Sequence, residues 1–342
     1  MTLRVGINGF GRTGRQFLRA WWQRSRDDFE IVAINGRTPV EMHTHLLRHD
    51  SDYGSFPATI TDGDGSFTIS DSDSDHDVRV FQDDDPSSID WGAVGVDLVV
   101  ESTGAFRDRQ SATRHLRDGV RKVLITAPGR GEDWTVIVGV NDGDYDPSTH
   151  HVISAGSCTT NCVVPMVKVL HDAFGVRRGF MSTIHAYTRD QNLVDAKHKD
   201  RRRARAAALN IIPTSTGAAA AVGTVIPELK GKMSGMAFRV PIPTVSVVDL
   251  VTDLGQAVSE GAINEAFLAA AEGPMRGILH YERDELVSSD FKEHPASAIF
   301  DAPSTMVLDG DMVKTLGWYD NEWGYACRVA DVCALIAERG LG

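Results

Sequence analysis

The strongest chemical signal in the sequence is Cys158, which stands in the stretch SAGSCTTNC at residues 154–162. A cysteine in this setting has four interpretations: a small buried hydrophobic residue, a metal ligand, half of a disulfide, or a nucleophile. The sequence holds three other cysteines, Cys162, Cys327 and Cys333. Their number and spacing fit neither a disulfide scaffold nor a common zinc site, so we predict no metal. The hydrophobic and nucleophilic interpretations remain.

The surroundings of Cys158 favour a nucleophile. The residue follows an apolar run and begins a helical pattern, and the N-terminus of a helix stabilises a thiolate. His185 follows residues 181–184, which read MSTI, and is the candidate base that accepts a proton and stabilises an oxyanion. Beside a nicotinamide site, such a pair implies oxidation of an aldehyde through a thioester. A buried structural cysteine and a core histidine are the alternatives for the two residues taken singly.

A glycine-rich motif near the N-terminus indicates a nicotinamide site. Residues 9–14 read GFGRTG, a G-x-G-x-x-G pattern directly after a predicted strand and at the start of a predicted helix. Glycines there let the backbone approach a pyrophosphate at the helix N-terminus, and dinucleotides lie along the carboxyl ends of parallel strands. The residues predicted to line this site are Asn8, Gly9, Phe10, Gly11, Arg12, Thr13, Asn35, Ser102, Thr103 and Thr126.

The end of the second predicted strand indicates which dinucleotide binds. NAD sites usually carry an acidic residue about 20 positions after the glycines, where it binds the ribose 2′-hydroxyl. Here the strand ends in Asn35-Gly36-Arg37, without a carboxylate. Gly36 removes a source of repulsion, and Arg37 is able to pair with a 2′-phosphate. We therefore predict NADP as the preferred cofactor, with NAD as the alternative; an Arg37 that merely faces solvent is the competing interpretation.

Alternating apolar runs and helical patterns must position these residues. Buried strands are predicted at residues 3–7, 31–34, 96–100, 122–125, 136–140 and 152–153. Their rhythm with helices favours parallel pairing through right-handed crossovers. Residues 60–90 interrupt the rhythm and are predicted to form an acidic hairpin insertion. Beyond Cys158 the pattern predicts a helix to about residue 174, a polar loop over 187–205, alternating strands, and a last helix over 325–338.

The charge of the chain excludes some partners. Its 342 residues include 34 Asp and 13 Glu against 27 Arg and 8 Lys, for a net charge of −12. Such a surface repels nucleic acids and anionic membranes, so neither is expected as a partner. A solvated acidic face is one explanation for a local excess of acidic residues. Adaptation to high salt, which screens the repulsion between them, is a further hypothesis. No apolar run reaches the length of a membrane span and no signal peptide is recognisable, so a cytoplasmic protein is expected.

Six stretches resemble, in order and spacing, the phosphorylating glyceraldehyde-3-phosphate dehydrogenase family. These stretches are INGFGR, SCTTNC, IIPTSTGAA, GMAFRVP, SVVDLV and WYDNEWGY. The resemblance spans essentially the whole chain, and SCTTNC is its most specific part. It implies an α/β fold, a Rossmann-type doubly wound parallel sheet with an inserted α+β catalytic domain, in a homotetramer. The expected domains are a dinucleotide-binding domain over 1–157, completed by a C-terminal helix over 319–342, and a catalytic domain over 158–318.

The resemblance also implies a reaction and its residues. D-glyceraldehyde 3-phosphate, phosphate and NAD(P)+ would give 1,3-bisphosphoglycerate and NAD(P)H, with Cys158 as nucleophile and His185 as its partner. The residues that match the site for the substrate's own phosphate are Thr188, Asp190 and Arg239. Those that match the site for attacking inorganic phosphate are Ser157, Thr159, Arg203, Thr216 and Gly217. Asn321 matches the residue that holds the nicotinamide carboxamide, and Tyr325 matches one that packs beside the ring.

Some positions depart from the family pattern. Thr13 replaces the usual isoleucine, where only its backbone N–H is needed. Gly36 replaces the aspartate of NAD-specific members, and Ala196-Lys197 stands where those members have Leu-Pro. Small or polar residues there are similar to members that use NADP, and Lys197 of a neighbouring subunit would add charge to the 2′-phosphate site. An NADP enzyme would suit synthesis of the triose phosphate.

Two alternatives to this function are open. Erythrose-4-phosphate dehydrogenases share the fold and nucleophile but tend to lose the residues corresponding to Thr188 and Thr216-Gly217, which this chain keeps. A non-catalytic nucleotide-binding regulatory protein on the same fold is the second alternative. The net charge and the complete catalytic set count against it.

Overall fold

The computed structural model describes residues 2–342, which divide into two compact units. The first unit comprises residues up to 136 together with 144–156 and 326–342. The second unit comprises residues 137–143 and 157–325.

The first unit is built on a nine-stranded sheet with a separate two-stranded ribbon. Its strands are β1 (Leu3–Asn8), β2 (Phe29–Asn35), β3 (His49–Asp50), β4 (Gly54–Ser55), β5 (Thr59–Gly63), β6 (Ser66–Ser70), β7 (Asp75–Phe81), β8 (Leu98–Glu101), β9 (Lys122–Ile125), β10 (Trp134–Thr135) and β11 (Val152–Ser154). Its own helices are α1 (Arg12–Arg24), α2 (Val40–Arg48) and α3 (Arg109–Ala112). The strands β3 and β4 pair only with each other.

The strand order of the large sheet creates a crevice at β1. The order is β10-β11-β9-β8-β1-β2-β7-β6-β5, and every pairing from β10 to β7 is parallel. The chain passes from β1 to β2 on one side and later to β8 on the other. Such a reversal of strand order opens a ligand-binding crevice at the carboxyl ends of the strands. The predicted parallel sheet is confirmed, and the acidic segment extends it through β7, which is parallel to β2, and then through β6 and β5 in antiparallel pairing.

Sequence periodicity accounts for these elements. The strand β1 is nearly all buried: Leu3, Val5 and Ile7 cover one face, and on the other face a Cβ at Gly6 would lie 2.7 Å from the ring of Trp91. In α1, the side chains of Phe17, Leu18, Trp21 and Trp22 are buried at helical spacing. Phe17 and Trp21 both contact the ring of Phe29 in β2, which fixes the helix against the sheet.

One predicted strand, at residues 136–140, is wrong. The strand in this region is β10, and the chain then turns, with Val140 N–H donating to Ile137 O at 3.0 Å. Gly139 has a φ of 82°, a left-handed conformation that a strand residue does not adopt. Asn141 Oδ1 accepts from Ile137 N–H at 2.8 Å, replacing a ladder partner. The apolar side chain of Ile137 enters the core of the second unit instead of a sheet.

The second unit contains a mixed eight-stranded sheet and three helices. Its strands are β12 (Val176–Ala186), β13 (Ile212–Thr214), β14 (Met233–Val240), β15 (Ser246–Leu254), β16 (Leu279–Glu282), β17 (Ala298–Asp301), β18 (Met306–Leu308) and β19 (Met312–Tyr319). Its helices are α4 (Cys158–Phe174), α5 (Ala218–Val225) and α6 (Glu260–Glu272). The order is β13-β14-β12-β15-β19-β17-β16, with β18 beside β19. Side chains of α4 and α6 and of several strands form one continuous core.

The last helix, α7 (Trp323–Arg339), returns the chain to the first unit from Ala326 onward. It begins later than the expected residue 319, because Tyr319 ends β19 and Asp320 Oδ1 accepts from Trp323 N–H at 2.9 Å. Tyr145 Oη donates to Gly340 O at 3.0 Å just beyond its end. The α/β fold, with a parallel sheet in one unit and a separate second sheet in the other, is confirmed.

Candidate active site

Cys158 is the first residue of α4, and Ser157 caps that helix. Ser157 Oγ accepts from Thr160 N–H at 3.1 Å, which satisfies a donor of the first turn. Cys158 is half-buried, whereas the other three cysteines are fully buried, and all four are free thiols. Cys162 Sγ lies 3.5 Å from Gly317 O inside the core. Of these thiols, Cys158 is therefore the one accessible to a substrate.

His185 lies directly beside that thiol. Its Nε2 atom is 3.5 Å from Cys158 Sγ, within reach of proton transfer given the size of sulfur. The parallel pairing of β12 with β14 places His185 opposite Arg239. Arg239 Nη1 lies 2.7 Å from His185 Nδ1 and 2.9 Å from Ala186 O, and Nδ1 is itself 2.7 Å from Ala186 O. Cys158, His185 and Arg239, all predicted from the sequence, thus form one contiguous set.

Burial and the positive charge of Arg239 set the protonation of this pair. Burial, together with the charge of the nearby guanidinium, lowers the pKa of His185 to about 3. Burial also raises the pKa of the Cys158 thiol, although the charge of Arg239 and hydrogen bonds at the helix N-terminus oppose the rise. The sequence predicted a thiolate favoured by the helix N-terminus, but burial outweighs that contribution here. The resting pair is a thiol beside a neutral imidazole.

A second cation, Arg203, is held in the polar loop by neighbouring side chains. Its Nη1 atom forms an ion pair with Asp190, and its Nε donates to Thr214 Oγ1 at 2.9 Å. Thr214 Oγ1 in turn donates to Asp200 Oδ2 at 2.8 Å. The charge of Arg203 contributes to the lowered pKa of His185, so the loop cation lies within electrostatic range of the imidazole. Sequence reasoning found Arg203 and Asp190 but not Thr214 or Asp200.

The hydroxyl of Thr159, which was predicted to bind phosphate, already has a protein partner. Thr159 Oγ1 lies 2.9 Å from Tyr319 Oη, and Thr183 Oγ1 lies 2.8 Å from the same oxygen. Tyr319 is buried, and burial raises the pKa of its hydroxyl well above the ordinary value. Its ring meets that of His185 edge to face at 5.9 Å. Tyr319 is a site residue that the sequence reasoning missed, since nothing local marks the end of β19 as part of the site.

The remaining phosphate candidates lie in the loop and at the start of α5. Thr188 N–H donates to Gln191 Oε1 at 3.4 Å, and Thr216 Oγ1 accepts from Ala218 N–H at 3.2 Å. Gly217 precedes α5 and has open space where a side chain would be. Lys197 is exposed on the same loop.

The glycine-rich turn has the backbone geometry of an anion-binding site. Gly9 has a φ of 95°, and a Cβ at Gly14 would lie 2.4 Å from Gly9 O. Both positions therefore require glycine for the close approach of α1 to β1. Gly11 precedes the helix without a side-chain cap in the described part of the chain. The first N–H groups of α1, from Arg12 and Thr13 onward, are thus directed at the crevice.

Side chains at the ends of β1, β2 and β8 form a hydrogen-bonded chain. Asn35 Nδ2 donates to Asn8 Oδ1 at 2.8 Å, and Asn8 Nδ2 donates to Glu101 Oε2 at 2.5 Å. Glu101 Oε1 accepts from Thr103 N–H at 2.9 Å, and Glu101 O accepts from Thr126 Oγ1 at 3.1 Å. The structure therefore brings all four predicted residues together through Glu101. This buried carboxylate was not predicted, because in sequence it reads only as the polar end of an apolar strand.

Position 36 is crowded by a histidine rather than open. A Cβ on Gly36 would lie 2.4 Å from Cε1 of His43, whose ring also meets Phe10 edge to face at 5.6 Å. Arg37 is exposed and pairs with Asp84 at 2.5 Å. Sequence reasoning considered Gly36 and Arg37 but missed His43, which α2 brings back against them.

The two predicted nicotinamide contacts lie in the second unit. Asn321 Oδ1 accepts from Ser246 Oγ at 2.9 Å. Tyr325 is buried, and burial raises the pKa of its hydroxyl well above the ordinary value.

Comparison with known proteins identifies the family of this site. Residues 3–109 match the family model described as glyceraldehyde 3-phosphate dehydrogenase, NAD binding domain. Residues 157–321 match the model of the C-terminal domain of the same enzyme. The chain belongs to the glyceraldehyde-3-phosphate dehydrogenase family. The predicted family resemblance is thereby confirmed.

The chain aligns with individual members of this family over essentially the whole length of both. The chain is 51% identical over 341 residues to glyceraldehyde-3-phosphate dehydrogenase of Geobacillus stearothermophilus, covering 100% of each. It is 52% identical over 336 residues to glyceraldehyde-3-phosphate dehydrogenase 2 of Streptomyces arenae, covering 98% of this chain and 99% of the relative. It is 50% identical over 341 residues to glyceraldehyde-3-phosphate dehydrogenase 1 of Bacillus subtilis (strain 168), again covering 100% of each.

Two further observations concern membranes and metals. Within residues 2–342, every helix is too short or too polar to cross a bilayer. The same residues include no cluster of three or more His, Cys, Asp or Glu side chains able to hold a metal ion.

Proposed function

We propose that the chain oxidises D-glyceraldehyde 3-phosphate with uptake of phosphate, through a thioester on Cys158, and forms 1,3-bisphosphoglycerate. The observation that carries the proposal is the 3.5 Å contact between Cys158 Sγ and His185 Nε2, in a chain of this family. A nucleophile and a base in such contact form the minimal machinery for acyl transfer.

In the proposed mechanism, His185 carries the proton through each step. The Cys158 thiol transfers its proton to His185 Nε2 as Sγ attacks the aldehyde carbon, and the imidazolium then protonates the oxygen to give a thiohemiacetal. A nicotinamide dinucleotide, when bound, supplies the acceptor for the hydride that leaves this carbon. His185 takes the hydroxyl proton as the thioester forms. A phosphate oxygen then displaces Cys158, whose sulfur regains the proton from His185, and the acyl phosphate departs.

Arg239 determines which nitrogen of His185 is able to accept a proton. A guanidinium has only donors, so its contact with Nδ1 at 2.7 Å requires Nδ1 without hydrogen and places the hydrogen on Nε2. The contact of Nδ1 with Ala186 O at 2.7 Å requires the opposite tautomer. A substrate phosphate that attracts Arg239 would free Nδ1–H for Ala186 O and leave Nε2 as the base. The proposed site therefore favours phosphorylated over unphosphorylated aldehydes in kcat as well as in KM.

The first unit fits a nicotinamide dinucleotide. A Cβ at Gly9 would lie 2.6 Å from Thr103 N, so glycine is required for the turn to pack against the segment that follows β8. The N–H groups at the start of α1 would hold the pyrophosphate, and the chain of Asn35, Asn8 and Glu101 fixes the ends of the strands. We propose NADP as the preferred cofactor because Gly36 has no carboxylate and Arg37 lies next to it, with Lys197 of a neighbouring subunit adding charge.

The proposed domains and assembly are those that the resemblance to the family implies. Residues 1–157 with the final helix are the dinucleotide-binding domain, and residues 158–318 are the catalytic domain. The proposed assembly is a cytoplasmic homotetramer. The polar loop and its surroundings support a covering subunit, because Leu193, Val194, Leu209 and Ile211 are all at least two-thirds exposed, and groups of exposed apolar side chains are typical of protein–protein contacts.

Initial rates test this proposal. D-glyceraldehyde 3-phosphate and unphosphorylated D-glyceraldehyde are compared with NAD and with NADP, each with and without inorganic phosphate. We expect turnover that requires inorganic phosphate and is faster with NADP and with the phosphorylated aldehyde. Turnover of erythrose 4-phosphate without inorganic phosphate would replace the proposal by the erythrose alternative. Equal kcat for both forms of glyceraldehyde would refute the role of Arg239.

A further inference from the structure

His43 occupies the space in which an acidic residue at position 36 would stand. It belongs to α2, and the residue is 5% exposed. A Cβ built on Gly36 would lie 2.4 Å from His43 Cε1 and 2.5 Å from Nε2, far inside van der Waals contact. Any side chain at position 36 would therefore have to displace the imidazole. The glycine and the histidine form a matched pair.

The ring is held in place by contacts on both sides of the crevice. Thr38 Oγ1 lies 3.1 Å from Nε2 and 3.2 Å from Nδ1. Phe10, in the glycine-rich turn, meets the ring edge to face at 5.6 Å. His43 therefore joins the turn that would bind the pyrophosphate to the strand end that would bind the adenosine ribose.

The electrostatic surroundings of His43 suit a neutral ring that gains a proton beside an anion. Burial lowers its pKa, and the charge of Arg15 on α1 lowers it as well, against a hydrogen bond with the backbone of Gly36. Arg37 follows Gly36 in the chain and is paired with Asp84. A dianionic phosphate placed at this position would offset the effect of Arg15 and favour the imidazolium.

We propose that His43 is a specificity-determining residue that, with Gly36 and Thr38, selects an adenosine 2′-phosphate over a free 2′-hydroxyl. The ring excludes the carboxylate that would bind the hydroxyl, and the imidazole and the Thr38 hydroxyl give the phosphate two donors. This inference rests on the proposed function, which assigns the crevice to a nicotinamide dinucleotide. It deepens that function by naming a residue outside the established motif.

Asp84 opposes this selection. It holds the Arg37 guanidinium in an exposed ion pair at 2.5 Å, so a 2′-phosphate has to compete with a carboxylate for that cation. Removing the charge of Asp84 would release Arg37 and strengthen the preference for the phosphate. Asp64 is an exposed residue of the same acidic segment and serves as a control for the change in net charge.

The experiment measures binding rather than turnover. Isothermal titration calorimetry of the full chain compares adenosine 2′,5′-bisphosphate with adenosine 5′-monophosphate, which differ only in the 2′-phosphate. We expect wild type to prefer the bisphosphate, and His43→Leu to reduce that preference about tenfold, or about 1.4 kcal/mol, without changing monophosphate affinity. His45→Leu, at an exposed position of the same helix, is expected to leave the preference unchanged. A preference that survives His43→Leu in a folded protein overturns the proposal.

Two further variants test the matched pair and Asp84. Gly36→Asp alone is expected to weaken both nucleotides, whereas Gly36→Asp with His43→Leu is expected to recover the monophosphate and reverse the preference. Equal monophosphate binding by the single and double variants would show that the ring does not exclude a side chain at position 36, which refutes the proposal. Asp84→Asn is expected to strengthen the preference for the bisphosphate a few-fold, and Asp64→Asn to leave that preference unchanged. An equal effect of the two variants would show that net charge causes the change, which would count against a role for the Arg37–Asp84 ion pair.

These results are independent of the catalytic proposal. If the wild type lacks phosphate-dependent oxidation of the aldehyde, the proposed function fails even where the binding preferences follow His43. If turnover is as proposed but His43→Leu leaves the binding ratio unchanged, only the role of His43 fails. Circular dichroism and thermal unfolding of each variant confirm that the binding is measured on folded protein.

Discussion

The nucleotide crevice of the first unit and the thiol site of the second unit satisfy their polar atoms in different ways. In the crevice, Asn35, Asn8 and Glu101 bind one another, and the anion-binding N–H groups belong to the backbone. In the thiol site, Arg239 Nε is buried without a hydrogen-bond partner among the described residues. An unsatisfied buried donor is costly and is stabilised when an anion binds. The side chains of the first site are thus already paired and leave only backbone N–H groups for an anion, whereas the second site offers an anion a buried side-chain donor.

The variant Cys158→Ser tests the thiol side of this comparison and has the largest expected effect. Dehydrogenase activity should fall by at least about 10³-fold, because a serine hydroxyl beside a neutral imidazole is a far weaker nucleophile than the thiol. Calorimetric binding of NADP should be unchanged. The control is Cys162→Ala, which removes a thiol from the core and should cost stability while activity per folded molecule is kept. Activity retained in Cys158→Ser would assign the chemistry to another group.

The variant Gly14→Val tests the nucleotide side, where backbone shape is decisive. A Cβ at this position would lie 2.4 Å from Gly9 O, so α1 must move away from the turn. We expect about 1–3 kcal/mol lower free energy of unfolding from overpacking and at least about tenfold weaker NADP binding. Chemical denaturation and calorimetry measure the two quantities. Gly143→Val, where a side chain meets open space, is the control, and an equal loss in both variants would contradict the close-packing argument.

The variant Tyr319→Phe has the smallest expected effect and sharpens the comparison within the thiol site. It leaves the hydroxyls of Thr159 and Thr183 without their shared partner. The free energy of unfolding is expected to fall by about 1–3 kcal/mol. His185 itself is unchanged in this variant. Tyr281→Phe, at a half-buried tyrosine packed on Phe300, is the control and should change stability by less than about 0.5 kcal/mol. Urea denaturation measures the free energy of unfolding of both variants. Equal losses would show that the Tyr319 hydroxyl does not stabilise the site.

The glycine-rich turn was predictable because its information is local. The glycines of residues 9–14 are required by the conformation of their own segment and by its contact with the adjoining strand. A reader of the sequence therefore sees the motif, its strand and its helix together. The same reasoning fails at residues 136–140, where Gly139 and the side chain of Asn141 convert an apolar run into a turn.

The contacts of the thiol site were less predictable because they depend on register. His185 and Arg239 are neighbours because β12 pairs with β14 in one particular alignment, which no local pattern specifies. Tyr319 reaches the thiol site from β19. In the nucleotide crevice, His43 likewise reaches Gly36 from the helix that follows in the chain. Residue types indicated the chemistry of Cys158 and His185, whereas the neutral state of that pair follows from burial, which only the three-dimensional structure provides.

The final helix has a consequence for how the protein is made. Val329, Val332 and Ile336 of α7 are buried, and residues 326–342 belong to the unit that contains the N-terminus. Because a ribosome synthesises the chain from that terminus, most of the first unit emerges early, but its residues 326–342 emerge only after the second unit. The core of the first unit lacks the apolar side chains of α7 until residues 326–342 have been synthesised. A chain truncated before residue 326 would therefore contain Cys158 but expose apolar surface to chaperones and proteases.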